Sequence, residues 1–197
     1  MLRPKKYYQG WKIDDKSFPS NGTFEEKGKF FLRYALLAPS SFNVQPWKFK
    51  ITKDRIYIQP DFSRKLSTSD KNNRLMYIAI GCLLKNLEIA ANWFGYKVDQ
   101  KILENGSDLG FEISIAQSVD SEIKRIDPKY VCQRLSNRYP YITTKKLPTN
   151  FLEEIQKIAK NQDLEPLIVT NKEIKSRINE LIEKGDYLLW NDKRFKE

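Results

Sequence analysis

The sequence predicts an α+β fold in which helices surround a sheet that contains antiparallel strands. Three observations lead to this prediction: a long helical segment that is apolar almost all round, two pairs of short strand segments joined by turns, and amphipathic helical segments before and after them. A helix with so little polar surface is expected to lie buried at the centre of the core.

Start and stop signals define the first helix. Thr23 and Glu26 have the spacing of a capping box, and Pro39 ends the apolar periodicity that follows them. The first 22 residues contain two prolines and two glycines, and they are expected to form an extended arm.

Two hairpins supply the predicted strands. A strand from Trp47 to about Thr52 and a second strand of sequence I-Y-I-Q form the first hairpin. Strands at Tyr96–Leu103 and Leu109–Ala116 form the second, because the Asn105-Gly106 pair between them is typical of a tight hairpin turn.

The long apolar helix lies between these hairpins. Ser69 or Asp70 is expected to cap its start, and Gly95 follows its end at Phe94. Asp70 and Arg74 are expected to act as a cap and an ion pair. Its apolar positions are Met76, Ile80, Leu83, Leu84, Leu87, Ala90 and Ala91.

The last third of the chain begins where Asp127 and Pro128 interrupt the strand pattern. A short helix is expected there, followed by the segment R-L-S-N-R, an extended Y-P-Y-I segment and a helix from about Asn150 to Lys160. A strand of sequence L-I-V-T and a final helix from about Asn171 complete the prediction.

Composition limits the classes of function. The net charge of +10 arises from lysines scattered beside acidic residues, which indicates a lysine-rich composition rather than a nucleic-acid surface. No uninterrupted apolar run approaches the roughly eighteen residues of a membrane helix, and the N-terminus lacks a signal-peptide core, so a cytoplasmic protein with no membrane partner is expected. Cys82 and Cys132 are isolated and histidine is missing from the sequence, so no metal site is predicted and any catalysis must use a cofactor.

The segment A-P-S-S-F-N-V-Q-P-W after the first helix is the first candidate binding loop. The small residues Ser40 and Ser41 after Pro39 permit close approach of a flat ring, and the Asn43 amide can both donate and accept hydrogen bonds. The alternative is a helix C-terminal turn whose polar side chains satisfy loose carbonyls.

The segment R-L-S-N-R is the second candidate. In an extended segment Arg134, Ser136 and Arg138 lie on one side, and forked guanidinium donors with a hydroxyl suit a phosphate group. The alternative is a solvated basic turn.

A weak internal repeat relates residues 149–169 to residues 23–51. Each runs from a capped helix through a turn that ends in proline, at Pro166 or Pro46, into a short apolar strand. The second copy lacks the serines of the first, and the R-x-S-x-R segment has no counterpart before the first. This pattern predicts a first half at residues 1–128 and the start of a second, degenerate and truncated half at residues 129–197.

These segments resemble consecutive blocks of the nitroreductase family, over roughly residues 30 to 150. The blocks are LLAPSSFNVQPWKF, the residues Asp61, Arg64, Asp70 and Arg74, and the segments AIGCLLKNLEIAANWFGY and QRLSNRYPY. They look like the tandem Acg type of that family, which fuses two halves in one chain and continues beyond the point where this sequence stops.

The resemblance implies a nitroreductase-like fold and an FMN cofactor. The flavin would lie between a P-S-S-x-N-like loop, here Pro39, Ser40, Ser41 and Asn43, and an R-x-S-x-R-like clamp, here Arg134, Ser136 and Arg138. These two parts come from one chain or from two alike subunits, so a homodimer or a partner chain is expected.

The activity implied is that of an oxidoreductase that uses NAD(P)H to reduce a nitroaromatic, quinone or related small-molecule acceptor by a ping-pong hydride mechanism. FMN carries the chemistry, so no side chain is assigned as catalytic. Two alternatives remain: a protein that binds FMN without catalysis, and a basic nucleic-acid-binding module, which the missing helix-turn-helix pattern disfavours.

Overall fold

The computed structural model describes residues 10–106, 108–118, 125–136, 139–142, 144–145, 147–160 and 165–196. The chain divides into two compact units, Met1–Leu135 and Ser136–Glu197. The predicted boundary after residue 128 lies shortly before the division between these units, and the two nitroreductase-like halves stay a prediction.

The first unit contains a four-stranded antiparallel sheet of order β1-β2-β4-β3. The strands are β1 (Trp47–Ile51), β2 (Ile56–Pro60), β3 (Tyr96–Asn105) and β4 (Asp108–Gln117). Both predicted hairpins are present, and Gly106 in the second turn has a φ of 64°. Ile56 and Ile58 of β2 and Ile113 of β4 are fully buried beneath the helices, so the predicted α+β class is confirmed.

Two helices pack on each other and on this sheet. Helix α1 (Phe24–Ala35) starts at the predicted capping box, in which Thr23 and Glu26 exchange hydrogen bonds. Its Gly28 permits a close approach to β2, because a Cβ atom there would lie 3.1 Å from Ile56 Cδ1. Helix α2 (Arg74–Trp93) buries eight residues, as expected for the central helix, and Gly95 (φ 83°) follows its C-cap residue Phe94.

The N-terminal arm joins the core through aromatic rings. The Phe18 ring stacks on Phe94 at a centroid distance of 4.3 Å and meets the edge of Phe30 at 5.2 Å. The Tyr34 hydroxyl donates to the Asp15 carboxylate, and burial raises the pKa of Tyr34 above its usual range. The predicted extended arm therefore includes a packed 3-10 turn at Asp15–Ser17.

Helix α2 also has the length and the apolar composition of a membrane-spanning helix. Among the described residues it is the one helix whose length and composition would allow it to cross a bilayer, and 44% of its most apolar window is buried inside the protein. The core helix of a globular domain has the same properties, so this observation is weak evidence for a span.

A short helix, α3 (Lys129–Gln133), ends the first unit. Val131 of α3 is 6% exposed and belongs to the hydrophobic core, while Pro128 before it is fully buried. This burial explains why α3 belongs with residues 1–128 and not with the segment that follows.

The second unit contains α4 (Phe151–Lys160), α5 (Lys172–Asn191) and α6 (Lys193–Lys196). Asn171 caps α5 through a 3.0 Å hydrogen bond from the Ile174 amide. The predicted strand L-I-V-T is wrong, because residues 165–170 have no regular structure. A strand needs a hydrogen-bonding neighbour, and β propensity alone does not supply one.

Candidate functional site

The loop between α1 and β1 has an unusual backbone. Phe42, Asn43 and Gln45 have φ values of 51°, 56° and 49°, in the left-handed region that non-glycine residues seldom occupy. Such residues persist where the surrounding structure holds them, and they often lie at functional sites. One of the three, Asn43, is a predicted ring-binding residue, and the other two are its neighbours in the same loop.

Local hydrogen bonds fix this loop. The Ser40 hydroxyl accepts from the Gln45 amide at 2.9 Å, so one of the two predicted serines has an internal partner. Ser40 and Ser41 carbonyls accept from the amides of Asn43 and Val44 at 2.9 and 3.1 Å. The Ser40 hydroxyl thus satisfies an amide of its own loop and not a carbonyl, and its role at a ring stays a prediction. Ser41 is half-buried, whereas Pro39 and Asn43 are exposed.

A buried carboxylate, that of Asp61, pairs with two cations near the loop. Asp61 is 6% exposed, and its Oδ1 accepts from the Ser63 hydroxyl at 2.6 Å and lies 2.9 Å from Lys48 Nζ. Its Oδ2 lies 3.4 Å from Nε of Arg64. The hydrogen bond from Ser63, followed by that from Lys48, lowers the pKa of Asp61. Asp61 is therefore ionised at neutral pH and fixes two cations.

Arg64 connects this carboxylate to the loop. Its Nη1 donates to the Val44 carbonyl at 3.1 Å, across twenty residues of sequence. Asp61 and Arg64 belong to a block quoted for the family resemblance, but sequence reasoning gave them no role in the site. The only signal for one was their spacing of three residues.

A narrow cleft lies beside the loop. Its walls come from the loop, from the segment before α2, and from the first turns of α2: Ser41, Val44, Pro46, Arg64, Leu66, Asp70, Leu75, Met76 and Ala79. The volume of about 10 Å³ suits one water molecule and is far below that of a cofactor pocket. A flat ring could bind on the exposed Pro39–Asn43 surface but not inside this cleft.

The start of α2 accounts for Asp70. Its two carboxylate oxygens accept from the amides of Leu75 and Met76 at 3.1 and 3.0 Å, so Asp70 caps α2 as predicted, although Asn73 occupies the N-cap position. The predicted ion pair with Arg74 is wrong, since no such contact occurs among the described residues. The carboxylate satisfies helix amides that an ion pair would have left open.

Arg134 lies close to the first candidate loop. Its Nη2 donates to the Leu37 carbonyl at 3.1 Å, two residues before Pro39. The first unit thus brings one member of the predicted clamp to the helix end from which the loop starts. This contact joins residues 97 positions apart in the sequence.

The other clamp residues are less informative. Ser136 is exposed and belongs to the second unit. Arg138 lies outside the described residues. Their role as phosphate ligands stays a prediction.

The thiol of Cys132, two residues before Arg134, is unreactive at neutral pH. Burial raises the pKa of the Cys132 thiol, and the Asp15 carboxylate acts in the same direction. A thiol, not a thiolate, is therefore present at neutral pH, and a thiol is a poor nucleophile. The donors of this region are hydroxyl, amide and guanidinium groups, which can bind a polar ring edge or an anion.

No family model matches the chain, and no curated protein matches it. Solved structures do match. A putative NADH dehydrogenase/NAD(P)H nitroreductase from Bacteroides thetaiotaomicron is 17% identical, with a TM-score of 0.40 over 60% of this chain and 88% of that one. A putative NADH oxidase from Clostridium acetobutylicum is 16% identical, with a TM-score of 0.41 over 69% of this chain and 92% of that one.

Proposed function

We propose that the chain is an FMN-dependent NAD(P)H oxidoreductase of the nitroreductase type. The proposal rests on the two segments that resemble the flavin loop and the phosphate clamp of that family. The observation that supports it most directly is the contact of Arg134 with the Leu37 carbonyl, because it brings part of the second segment to the start of the first.

The loop residues would hold the ring. Ser41 and Asn43 provide a hydroxyl and an amide beside the exposed backbone of a loop that is fixed by hydrogen bonds. Donors held in place before binding need little reorganisation when a ring edge meets them. Pro39 and Ser40 would shape the loop, since the Ser40 hydroxyl is already engaged by the Gln45 amide.

The phosphate would be bound by Ser136 and Arg138, with Arg134 nearby in sequence. Charge-assisted hydrogen bonds from guanidinium groups are the strongest that a phosphate can accept in a protein. When bound, FMN would supply hydride acceptance from NAD(P)H and electron delivery to a nitroaromatic, quinone or related acceptor. Because the ring would lie on an open surface, a second copy or a partner chain is expected to cover it.

An absorbance spectrum of the purified protein tests this proposal. We expect flavin bands in the blue and near ultraviolet, bleaching by NADPH or NADH without oxygen, and recovery on addition of a quinone. The variant Arg134→Ala/Arg138→Ala should lose the flavin. A colourless protein that does not take up added FMN would refute the proposal.

The open loop surface and the small cleft favour a second candidate, a protein that binds FMN without catalysis. A nicotinamide must stack above the flavin ring, and neither the exposed residues Pro39 and Asn43 nor the cleft of about 10 Å³ would enclose it there. A yellow protein that neither nicotinamide donor bleaches would support this candidate against the oxidoreductase.

A further inference from the structure

We infer that Arg134 is a positioning residue for the flavin loop, and that it acts through the end of α1 and not as a ligand of the phosphate. This inference rests on the proposed function and assigns to Arg134 a task that differs from the rest of the R-L-S-N-R segment. Its basis is the hydrogen bond from Arg134 Nη2 to the Leu37 carbonyl.

The end of α1 needs such a donor. Leu37 lies just after the C-cap residue Leu36, in the turn that follows α1, and its carbonyl has no partner in the hydrogen-bond ladder of the helix. Leu37 and Ala38 are 7% and 4% exposed, so water has little access to the backbone there. A buried carbonyl without a partner costs free energy, and a cation at a helix C-terminus also interacts favourably with the helix dipole.

Arg134 is well placed to meet this need because α3 is fixed. Pro128 and Val131 are buried in the core of the same unit. The Arg134 amide donates to the Tyr130 carbonyl at 3.0 Å and ends α3. Arg134 is exposed, but its guanidinium extends from a backbone that is held at two points and donates to the Leu37 carbonyl.

The hydrogen bond from Arg134 holds the backbone at the start of the loop. Leu37 precedes Pro39 by two residues, and the strained residues Phe42, Asn43 and Gln45 lie further along the same loop. Loss of the hydrogen bond would remove one restraint at the start of this loop, where the Leu37 and Ala38 amides also donate to the carbonyls of Tyr34 and Ala35. The Arg64 contact would still hold Val44 at the far side of the loop. The ring-binding groups at Ser41 and Asn43 would then be held less rigidly, by the local hydrogen bonds of the loop and by Arg64.

Comparison of FMN with riboflavin tests this inference, because riboflavin has the same ring and no phosphate. We expect Arg134→Ala to weaken both ligands by the same factor, about tenfold for the loss of one hydrogen bond from a charged donor. Dissociation constants are measured by quenching of flavin fluorescence, well below the unfolding temperature of each variant, so that a general loss of stability does not contribute. The amides of Asn43 and Val44 should also exchange hydrogen faster in the flavin-free variant.

Arg33→Ala is the matched control. Arg33 lies in the last turn of α1 and carries the same charge, but its guanidinium lies over the Phe30 ring at 5.8 Å. It should leave the affinities for both flavins unchanged within about twofold.

Three outcomes would overturn the inference, and they separate it from the proposed function. Weakening of FMN alone by Arg134→Ala would identify a phosphate ligand. Unchanged affinity for both flavins would show that the contact has no influence on the loop. If the wild-type protein bound neither flavin, the proposed function would fail, and unchanged amide exchange in Arg134→Ala would then refute the positioning role separately.

Discussion

Helices α2 and α5 are both 20 residues long, but their apolar residues have opposite surroundings. In α2 the side chains of Ile80, Leu83 and Leu87 are fully buried. In α5 those of Leu181 and Leu188 are 68% and 70% exposed. The first unit gives its helices a four-stranded sheet, whereas in the described part of the second unit the predicted strand does not form. Apolar periodicity makes a helix amphipathic, and a core forms only where another layer covers its apolar face.

The largest effect should come from truncation of a leucine in each helix. Leu83→Ala removes a fully buried side chain and should lower the free energy of unfolding by about 2–5 kcal/mol. Leu181→Ala removes a mostly exposed one and should change it by less than about 0.5 kcal/mol. Urea unfolding followed by tryptophan fluorescence measures both. A large loss from Leu181→Ala would contradict the comparison, because it would show that α5 is covered in solution.

Removal of the cap of α2 should also lower global stability more than removal of the cap of α5. Asp70→Ala removes a buried carboxylate that accepts from two amides of α2, and it should cost about 1–2 kcal/mol of global stability. Asn171→Ala removes the cap of α5 and should lower only the helical circular dichroism, with no shift of the main unfolding transition. Equal shifts of that transition would show that the two helices unfold together.

Replacement of the glycine after α2 and of the glycine within α5 should change stability in opposite directions. Gly95→Ala places a side chain at a φ of 83° after α2 and should destabilise the first unit by about 1 kcal/mol. Gly185 lies inside α5 with nothing within 4 Å of a Cβ atom, so Gly185→Ala should stabilise α5 by about 0.5–1 kcal/mol and raise its helical content. Thermal melts followed by circular dichroism distinguish them. Destabilisation by Gly185→Ala would reveal a close neighbour of α5.

Acid should affect the first unit through Asp61. Its folded pKa is lowered below the usual value of 3.8, first by the Ser63 hydrogen bond. Its contribution to stability is therefore present above that value and is lost as the pH falls through the lower, folded pKa. In Asp61→Asn the dependence of stability on pH below 4 should be weaker, as measured by urea midpoints at a series of pH values. Parallel profiles for the two proteins would exclude Asp61 as a source of acid sensitivity.

Much of the first unit could be predicted because its signals are local. The Thr23–Glu26 capping box, the turn at Gly106 and the end of α2 before Gly95 each depend on residues within one turn. The prediction of a strand at residues 167–170 was wrong, because strand formation depends on a neighbouring strand that is distant in sequence. At the site, sequence located the loop but not its left-handed backbone or the Arg134 contact, which depend on tertiary packing.

The ring of Phe18 against Phe94 has a consequence for fragments of this protein. Lys16 is exposed and lies just before that ring, so trypsin could reach it. Cleavage there would separate Asp15 from Tyr34 but leave Phe18 attached to α1, and the aromatic cluster would remain closed. A fragment that begins after Phe18 would instead present the rings of Phe30 and Phe94 to water, and we expect it to be recovered from cells as insoluble material.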